Sequence, residues 1–388
     1  MKVWTVLLAS LLAAACATVP APPQSDRLFA DALFGAPSHP IRADDVFAVS
    51  PEMRRFLATE IPLDLQEKGP QRALFNALYR KQQLQLDYDA AITRNAAEAF
   101  AARAGNCLSL VIMTAAFAKE MDLTVTYQQV YTDETWGRVD DVTMAIGHVN
   151  LTLGMRSSLL RYSTYEAERL TIDFLPPSDT RGMRSQVLGE RTIVAMYMNN
   201  RAVESMLAGR VDDAYWWVRE AIVHDPTLLS AYNTLGVVYE RHGNLAQAER
   251  ALNHVLAREP GNTRVMPNLV RVLRAQGRAA EANALERELA RLEPEPPFSF
   301  YKRGIAALRT GDYRTAKELF TREVERAPYY HEFHFALAAA HLGLGEQELA
   351  RRHLELAIAG SPTPRDRDLY TAKLDRINAQ RGDASATH

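Results

Sequence analysis

The stretch Thr227–Pro260 reads TLLSAYNTLGVVYERHGNLAQAERALNHVLAREP, and its pattern returns along the carboxyl half of the chain every 34 residues. Within it, Tyr232, Leu235 and Tyr239 fall at helical spacing, which predicts a first helix with one apolar face. Gly243 lies just beyond this helix, where a residue with positive φ commonly ends a helix. The stretch therefore begins with one amphipathic helix and a tight turn.

Three series of residues share the same period of 34 residues. They are the prolines at 226, 260, 294, 328 and 362, the glycines at 209, 243, 277, 311 and 345, and the alanines at 214, 248, 282, 316 and 350. A small alanine in a second helix lets the two helices of a unit approach closely. The proline stops that helix, because it lacks an amide donor and its ring clashes with the preceding turn. The shared period predicts five helical hairpins stacked into a solenoid.

This pattern resembles the tetratricopeptide repeat (TPR), from about residue 192 to residue 364. The resemblance implies a superhelix whose concave groove binds a peptide or protein partner. The alternative is that the repeats only brace the adjoining domain. Tyr215, Trp216 and Trp217 are candidate anchors for a ligand, although aromatic residues at helical spacing are more typical of a core. The amphipathic segment Arg365–Gln380 is expected to cap the open end of the array.

The amino terminus has the pattern of a secretory signal, with a positive start, the apolar run Val3–Leu12 and small residues before Cys16. This run is too short to span a bilayer, which takes about 20 residues. The ending resembles the lipobox of bacterial lipoproteins. The resemblance implies lipidation of Cys16, and Ala17 in place of aspartate implies the periplasmic side of the outer membrane. An ordinary secretory peptide with an incidental cysteine is the alternative. The proline-rich stretch Thr18–Ser25 suits a tether.

Composition excludes several classes of function. The 388 residues carry a formal net charge of -2 without a large basic block, so nucleic-acid binding has no electrostatic basis. Two cysteines are too few for a secreted disulfide scaffold. No Cys-x-x-Cys or His-Glu-x-x-His spacing occurs, so neither a metal nor a cofactor is expected. His331, His334 and His353 fall on different repeat helices, and we interpret them as surface polar residues.

A buried helix is predicted to start at Cys107, between the tether and the repeats. Its apolar positions are Leu108, Val111, Ile112, Ala115 and Ala116. Asn106 is a good N-cap for this helix, and Gly105 permits a sharp entry. The partial positive charge of the helix start favours a thiolate at Cys107, as in enzymes with a cysteine nucleophile.

A nucleophilic thiolate needs a base and an orienting group. The stretch Met144–Leu153 is predicted to be a buried strand with apolar odd positions, which places His148 and Asn150 together on the opposite face. Arg169–Phe174 alternates in the same way, with Asp173 on its polar face. Each of these residues has a structural alternative when it is taken singly. A lone buried cysteine such as Cys107 is usually a small hydrophobic residue. A lone histidine on a strand is usually a hydrogen-bonded polar residue, and Asp173 could form a turn.

Cys107 precedes His148 by 41 residues, and His148 precedes Asp173 by 25. In their order, and in their context of a Gly-x-Cys helix start followed by two strands, the three resemble the transglutaminase-like superfamily, which has a papain-like fold. The resemblance implies that Cys107 is the nucleophile, that His148 is the base and acid, and that Asp173 holds the imidazole. The amide of Cys107 then supplies part of an oxyanion hole. The candidates for its second donor are Gln82, Gln83 and Asn106. Val149 and Phe174 stand where many members carry tryptophan and proline, which leaves the substrate class open.

The predicted fold class is an α+β papain-like, transglutaminase-like domain followed by an all-α TPR solenoid. The predicted divisions are a lipoprotein signal peptide (1–16), a tether (17–40), the transglutaminase-like domain (41–190), five TPR repeats (191–364), a capping helix (365–380) and a disordered tail (381–388). The expected activity is thiol-dependent amide hydrolysis or acyl transfer on a protein or peptide. The alternative is a non-catalytic scaffold of the bacterial envelope, with a silent transglutaminase-like module.

Overall fold

The structure is a computed structural model. It describes residues 27–61, 65, 67–79, 84, 86–89, 92–130, 136–139, 142–145, 147–155, 169–174, 184–361 and 364–385. The predicted signal peptide, the lipidation site Cys16 and the first part of the predicted tether lie outside these residues. Within the described ranges, no helix combines the length and the apolar character needed to cross a membrane.

The first part of the chain combines helices and strands. The helices with described bounds are α1 (Pro51–Glu60), α2 (Pro70–Tyr79), α3 (Ala96–Ala102) and α4 (Cys107–Glu120). The strands are β1 (Asp87–Tyr88), β2 (Ala104–Gly105), β3 (Thr124–Val130), β4 (Trp136–Val139), β5 (Val142–Ala145), β6 (His148–Gly154), β7 (Leu170–Ile172) and β8 (Ser185–Leu188). Strands β7, β6, β3 and β8 form an antiparallel sheet in that order, and β1–β2 and β4–β5 form separate pairs.

Helix α4 begins at Cys107, as the sequence predicts. Every residue from Cys107 to Ala118 is buried, which explains why this helix is apolar on all sides. The predicted strand Met144–Leu153, in contrast, is two strands. Its first residues belong to β5, which pairs with β4, and β6 begins at His148 and pairs with β3 and β7. Alternating hydrophobicity does not reveal such a change of partner, because both strands have the same period.

From Glu190 onward the described chain is helical. Five hairpins follow one another, α5 (Glu190–Leu207) with α6 (Val211–His224), α7 (Leu229–Arg241) with α8 (Leu245–Leu256), α9 (Met266–Ala275) with α10 (Ala279–Leu292), α11 (Ser299–Arg309) with α12 (Tyr313–Arg326), and α13 (His331–Gly343) with α14 (Gln347–Ala359). The five periodic glycines have φ between 76° and 86°. The five periodic alanines are fully buried. The predicted all-α solenoid is therefore confirmed.

The array ends in α15 (Pro364–Ser385), which packs against α14. The predicted capping helix is longer than expected, and the predicted disordered tail, residues 381–388, is helical as far as Ser385. No proline interrupts this segment, so nothing in the local sequence forces the helix to end at Gln380.

Residues 28–39, which we call the strap, pack against the first two repeats. The Phe34 ring stacks on Tyr215, with 3.9 Å between ring centroids. The Tyr215 hydroxyl donates to Asp31 at 2.5 Å, and Ser38 bonds to Asp213 through its amide and its hydroxyl. The prediction of a tether over residues 17–40 is therefore wrong from Leu28 onward, because apolar and hydrogen-bonding residues follow the proline-rich part.

The aromatic residues of the first repeat are held within the chain. Tyr215 is fully buried, and the indole of Trp216 donates to the Gly35 carbonyl of the strap at 2.6 Å. Trp217 packs edge-on against Tyr197. These contacts favour a structural role for this cluster over a role as a ligand anchor.

The prediction that the histidines of the last repeat lie on different helices and at the surface is wrong, because His331 and His334 share α13 and are buried, and only His353 lies on α14. His331 forms a 2.8 Å hydrogen bond with the Tyr370 hydroxyl on α15. His334 and His353 meet across the hairpin through their Nδ1 atoms at 3.1 Å. Burial and the neighbouring His334 and His341 lower the pKa of His353 to about 4, so this ring is neutral at pH 7. Neighbouring helices cover these rings, α14 at His334 and α15 at His331, and the pattern of a single helix does not predict such packing.

Candidate active site

Cys107 is the first residue of α4, and its position is fixed by the residues around the helix start. The Asn106 side chain caps the helix by accepting a hydrogen bond from the Ser109 amide at 2.9 Å. A Cβ on Gly105 would lie 2.6 Å from Ser109 Cβ, so glycine is needed here for close packing and not for an unusual φ. Cys107 is 7% exposed, and its sulfur lies 4.0 Å from the Gly147 carbonyl oxygen.

Two neighbouring strands bring His148 and Asp173 together. His148 begins β6 and Asp173 follows the end of β7, and these strands pair with Leu151 opposite Ile172. His148 Nε2 lies 2.6 Å from Asp173 Oδ1. Cys107 also interacts with this imidazole and contributes to raising its pKa. Because Nε2 faces Asp173, Nδ1 is the ring nitrogen available to the thiol.

The charge state of His148 follows from these contacts. Burial by itself lowers the pKa of His148, but hydrogen bonds with Asp173 and Cys107, together with their negative charges, outweigh it and raise the pKa to about 9. His148 is therefore an imidazolium at pH 7. Its Nε2 is hydrogen-bonded to the Asp173 carboxylate, and it also interacts with Cys107.

Asn150 is a further member of the site. Its Nδ2 donates to Asp173 Oδ2 at 2.8 Å, so both oxygens of the Asp173 carboxylate accept hydrogen bonds. Asn150 is 6% exposed, and its Oδ1 has no hydrogen-bond partner among the described residues. The sequence predicts that Asn150 shares a strand face with His148, but it does not indicate the contact with Asp173.

The strand end that carries Asp173 is also connected to the helix that carries Cys107. Phe174 packs against the Tyr79 ring, with 5.5 Å between centroids. The Tyr79 hydroxyl is hydrogen-bonded to Thr114 of α4 at 2.8 Å. Burial raises the pKa of Tyr79 well above its usual range, so this contact stays neutral. Asp173 is thus held from the side of α4 as well as from the sheet.

The structure describes two of the predicted oxyanion-hole donors, the amide of Cys107 and the side chain of Asn106. The amide of Cys107 is at the first position of α4, where a backbone N–H has no intrahelical partner. Asn106 acts as the cap, and its Nδ2 donates to Thr93 Oγ1 at 2.9 Å, so both ends of its side-chain amide are engaged. Gln82 and Gln83 lie outside the described residues.

Comparison with a family model identifies the carboxyl part of the chain. Residues 233–297 and 301–363 match the model described as a tetratricopeptide repeat. The matched ranges run from α7 through α14, which are the second to fifth hairpins. These hairpins are tetratricopeptide repeats, and the first hairpin precedes the matched ranges. Arrays of this kind present an extended surface and generally bind protein partners.

Individual similar proteins match this chain over limited lengths. A stretch of 115 residues is 32% identical to the TPR repeat-containing thioredoxin TTL4 of Arabidopsis thaliana, and it covers 29% of this chain but only 17% of that protein. Among solved structures, MamA from Desulfovibrio magneticus RS-1 is 16% identical, with coverage of 44% of this chain and 95% of that one and a TM-score of 0.26. PilF from Pseudomonas aeruginosa is 22% identical, with coverage of 51% and 90% and a TM-score of 0.31.

Proposed function

We propose that this protein is a thiol-dependent acyl-transfer enzyme of the transglutaminase-like type, which acts on an amide of a protein or peptide. The observation that carries the proposal is that Cys107, at the start of a buried helix, interacts with His148, whose imidazole is hydrogen-bonded to Asp173 at 2.6 Å. A helix packed against an antiparallel sheet supports a papain-like arrangement of this domain. The TPR array then presents the protein substrate, or docks the enzyme onto a partner.

The proposed reaction has two steps. The Cys107 thiolate attacks the carbonyl carbon of the amide, and the C–N bond breaks while the His148 imidazolium gives its proton to the leaving amine. Water then attacks the thioester. His148 takes a proton from this water, and the products are a carboxylic acid and the regenerated thiolate. When an amine replaces water, the same second step forms a new amide, which is transamidation.

Asp173 and Asn150 support this reaction without touching the substrate. Asp173 stabilises the imidazolium of the resting state, since its Oδ1 lies 2.6 Å from His148 Nε2. Asn150 keeps the carboxylate in that orientation through its hydrogen bond to the second oxygen. The amide of Cys107 is a donor for the oxyanion that forms during attack.

We further propose that Cys16 is lipidated and anchors the protein to the periplasmic side of the bacterial outer membrane. The small residues before Cys16 and the residue after it support this localisation. Because the strap is packed on the first repeats from Leu28 onward, the 12 residue steps from Cys16 keep Leu28, and with it the first repeats, within roughly 40 Å of the proposed anchor. Incorporation of radiolabelled palmitate into wild type but not into Cys16→Ala tests the anchor, and equal incorporation contradicts it.

Alkylation of the folded protein tests the enzyme proposal. We expect iodoacetamide to label Cys107 at pH 6 to 7, where an ordinary thiol is almost wholly protonated, because the proposed reaction requires a nucleophile that a neighbouring histidine activates. In His148→Ala this neutral-pH labelling is expected to fall about 100-fold, which corresponds to the loss of a charge-assisted hydrogen bond. Labelled peptides identified by mass spectrometry separate Cys107 from Cys16. If Cys107 is inert until the protein is denatured, the enzyme proposal fails.

A non-catalytic scaffold is the second candidate function. The observation that favours it is that the family match lies in the repeats, which bind proteins without any need for the thiol. In this case partners captured from envelope extracts are the same for wild type and Cys107→Ala, and no extract protein is cleaved or joined in a Cys107-dependent manner. Cys107-dependent cleavage or joining rejects the scaffold reading.

A further inference from the structure

Thr93 lies between the start of the active-site helix and the first helix of the repeats. It is 1% exposed. Its hydroxyl oxygen accepts a hydrogen bond from Asn106 Nδ2 at 2.9 Å and another from Asn200 Nδ2 at 3.2 Å. Asn106 precedes Cys107, whereas Asn200 belongs to α5. One buried hydroxyl therefore connects the two parts of the molecule.

The backbone of Thr93 is also bound by α5. Its amide donates to Glu204 Oε1 at 2.7 Å, and its carbonyl oxygen accepts from Arg201 Nη1 at 3.1 Å. Arg201 and Glu204 lie one turn apart on the helix, with Nε and Oε2 separated by 3.7 Å. The first repeat helix thus binds the amide, the carbonyl and the hydroxyl of this one residue.

The connection continues from Asn106 into the helix start. Asn106 Oδ1 accepts hydrogen bonds from the Ser109 amide at 2.9 Å and from the Ser109 hydroxyl at 2.8 Å. The Ser109 hydroxyl oxygen in turn accepts from the Arg94 amide at 2.8 Å. With both ends of its side-chain amide engaged, Asn106 has little freedom to rotate. Since Cys107 is the next residue, its orientation depends on this cap.

We infer that Thr93 is a positioning residue through which the first TPR helix sets the orientation of the Cys107 nucleophile. The repeat array is thereby part of the acyl-transfer machinery, and not a binding module that is merely appended to it. This inference rests on the proposed function, because a positioned thiol has a role only where the thiol reacts. It adds that the reactivity of Cys107 depends on contacts made by residues of α5.

Full-length variants at Thr93 test the inference through the iodoacetamide labelling rate of Cys107 between pH 6 and 9, with thermal unfolding recorded in parallel. Thr93→Val keeps the side-chain shape but removes the hydroxyl, and labelling at pH 7 is expected to slow roughly tenfold. Thr93→Ser keeps the hydroxyl and is expected to restore the wild-type rate and pH profile. Thr234→Val is the matched control, because Thr234 is also buried and hydrogen-bonded but lies in the second repeat.

Asn200→Ala removes one contact from the α5 side without changing Thr93, and it decides the question if Thr93→Val does not fold. We expect its labelling rate to fall about threefold, as for loss of a single neutral hydrogen bond, with Asn199→Ala as the neighbouring control. Wild-type labelling rates in both Thr93→Val and Asn200→Ala overturn the inference. An equal loss of rate in the Thr234→Val control also overturns it, because the effect is then one of general stability.

The parallel behaviour of His148→Ala separates this inference from the proposed function. If His148→Ala slows labelling and the α5-side variants do not, the triad stands and only the positioning role is rejected. If His148→Ala leaves the labelling profile unchanged, the proposed function is rejected and the positioning role with it.

Discussion

The repeat array and the α+β domain are stabilised by contacts of different range. In the array, each hairpin packs mainly on its sequence neighbours, and the same glycine and alanine positions recur in every unit. In the α+β domain, Cys107, His148 and Asp173 come from a helix and two strands that are far apart in the chain. A change in one repeat is therefore expected to stay local, whereas a change at the site alters several elements at once.

The boundary between the two parts is less separable than their architectures suggest. Helix α5 is counted as the first helix of the array, yet Asn200, Arg201 and Glu204 all bind Thr93 of the α+β domain. The strap lies on the first two repeats from the opposite end of the sequence. The two parts therefore share the first repeat, and only the later repeats are expected to be independent of the site.

The largest expected effect is at the nucleophile. Cys107→Ala is expected to abolish every thiol-dependent cleavage or joining event in envelope extracts, since no thioester can form without the sulfur. Partners held by the repeats are expected to remain bound. Mass spectrometry of extracts incubated with wild type or variant measures the first effect, and affinity capture measures the second. Residual chemistry in the variant places the reaction elsewhere in the molecule.

The array was predictable from the sequence because its determinants are local. Gly243 and Ala248 perform the same roles in the structure that the 34-residue period predicts for them, and Asn106 caps the helix that starts at Cys107. These features depend on residues within a few positions of one another. Local patterns of this kind can be recognised without knowing the rest of the fold.

The contacts that the sequence did not predict are all long-range. Thr93 meets Asn200 across 107 residues, and Tyr215 meets Asp31 across 184. The burial of His334 depends on a second helix that brings His353 against it. Periodicity placed Cys107 at a helix start and His148 and Asp173 on polar strand faces, and the resemblance grouped the three, but only the structure shows that His148 and Asp173 are in contact. The hydrophobic periodicity of a sequence does not indicate which distant side chains will form a hydrogen bond with each other.

The second expected effect concerns the charge on His148. Its pKa is raised to about 9 in the folded protein, so the stabilisation from its protonated form is full below pH 6.5 and is lost as the pH rises through 9. Asp173→Asn removes the carboxylate and is expected to lower the free energy of unfolding by about 1.5–3 kcal/mol at pH 6. The difference from wild type is expected to shrink toward pH 10. Denaturant titration at each pH measures it.

Asp312→Asn is the control for this pH dependence. Asp312 caps α12 in the array, and hydrogen bonds with Thr315 hold the pKa of its carboxyl below its usual range. Because its lowered pKa keeps the Asp312 carboxyl ionised above pH 6, its contribution to the free energy of unfolding is constant there. The change in unfolding free energy caused by Asp312→Asn is therefore expected to be the same from pH 6 to pH 10. If the Asp173→Asn difference is equally flat, His148 does not carry the charge assigned to it.

The third expected effect is confined to the array. Ala282 is fully buried in α10, so Ala282→Leu is expected to lower the free energy of unfolding by about 1–3 kcal/mol through overpacking. Ala284→Leu on the exposed face of the same helix is expected to change it by less than about 0.5 kcal/mol. Denaturant titration measures both. The labelling rate of Cys107 is expected to be unchanged in each folded variant, and a slower rate in Ala282→Leu contradicts the independence of the third repeat.

The smallest expected effect is at Asn150, which acts only through Asp173. Asn150→Ala removes one donor to the carboxylate but leaves the hydrogen bond to His148, so labelling of Cys107 is expected to slow roughly fivefold. Thr152→Ala is the matched control, because Thr152 lies two residues along the same strand and its hydroxyl is hydrogen-bonded to Thr171 across the sheet and not to Asp173. If both variants slow labelling equally, strand pairing and not the orientation of Asp173 controls the reactivity. If only Asn150→Ala slows the labelling of Cys107, the site extends one residue beyond the triad. Asp173 aligns His148, and Asn150 is then needed to hold the Asp173 carboxylate in place.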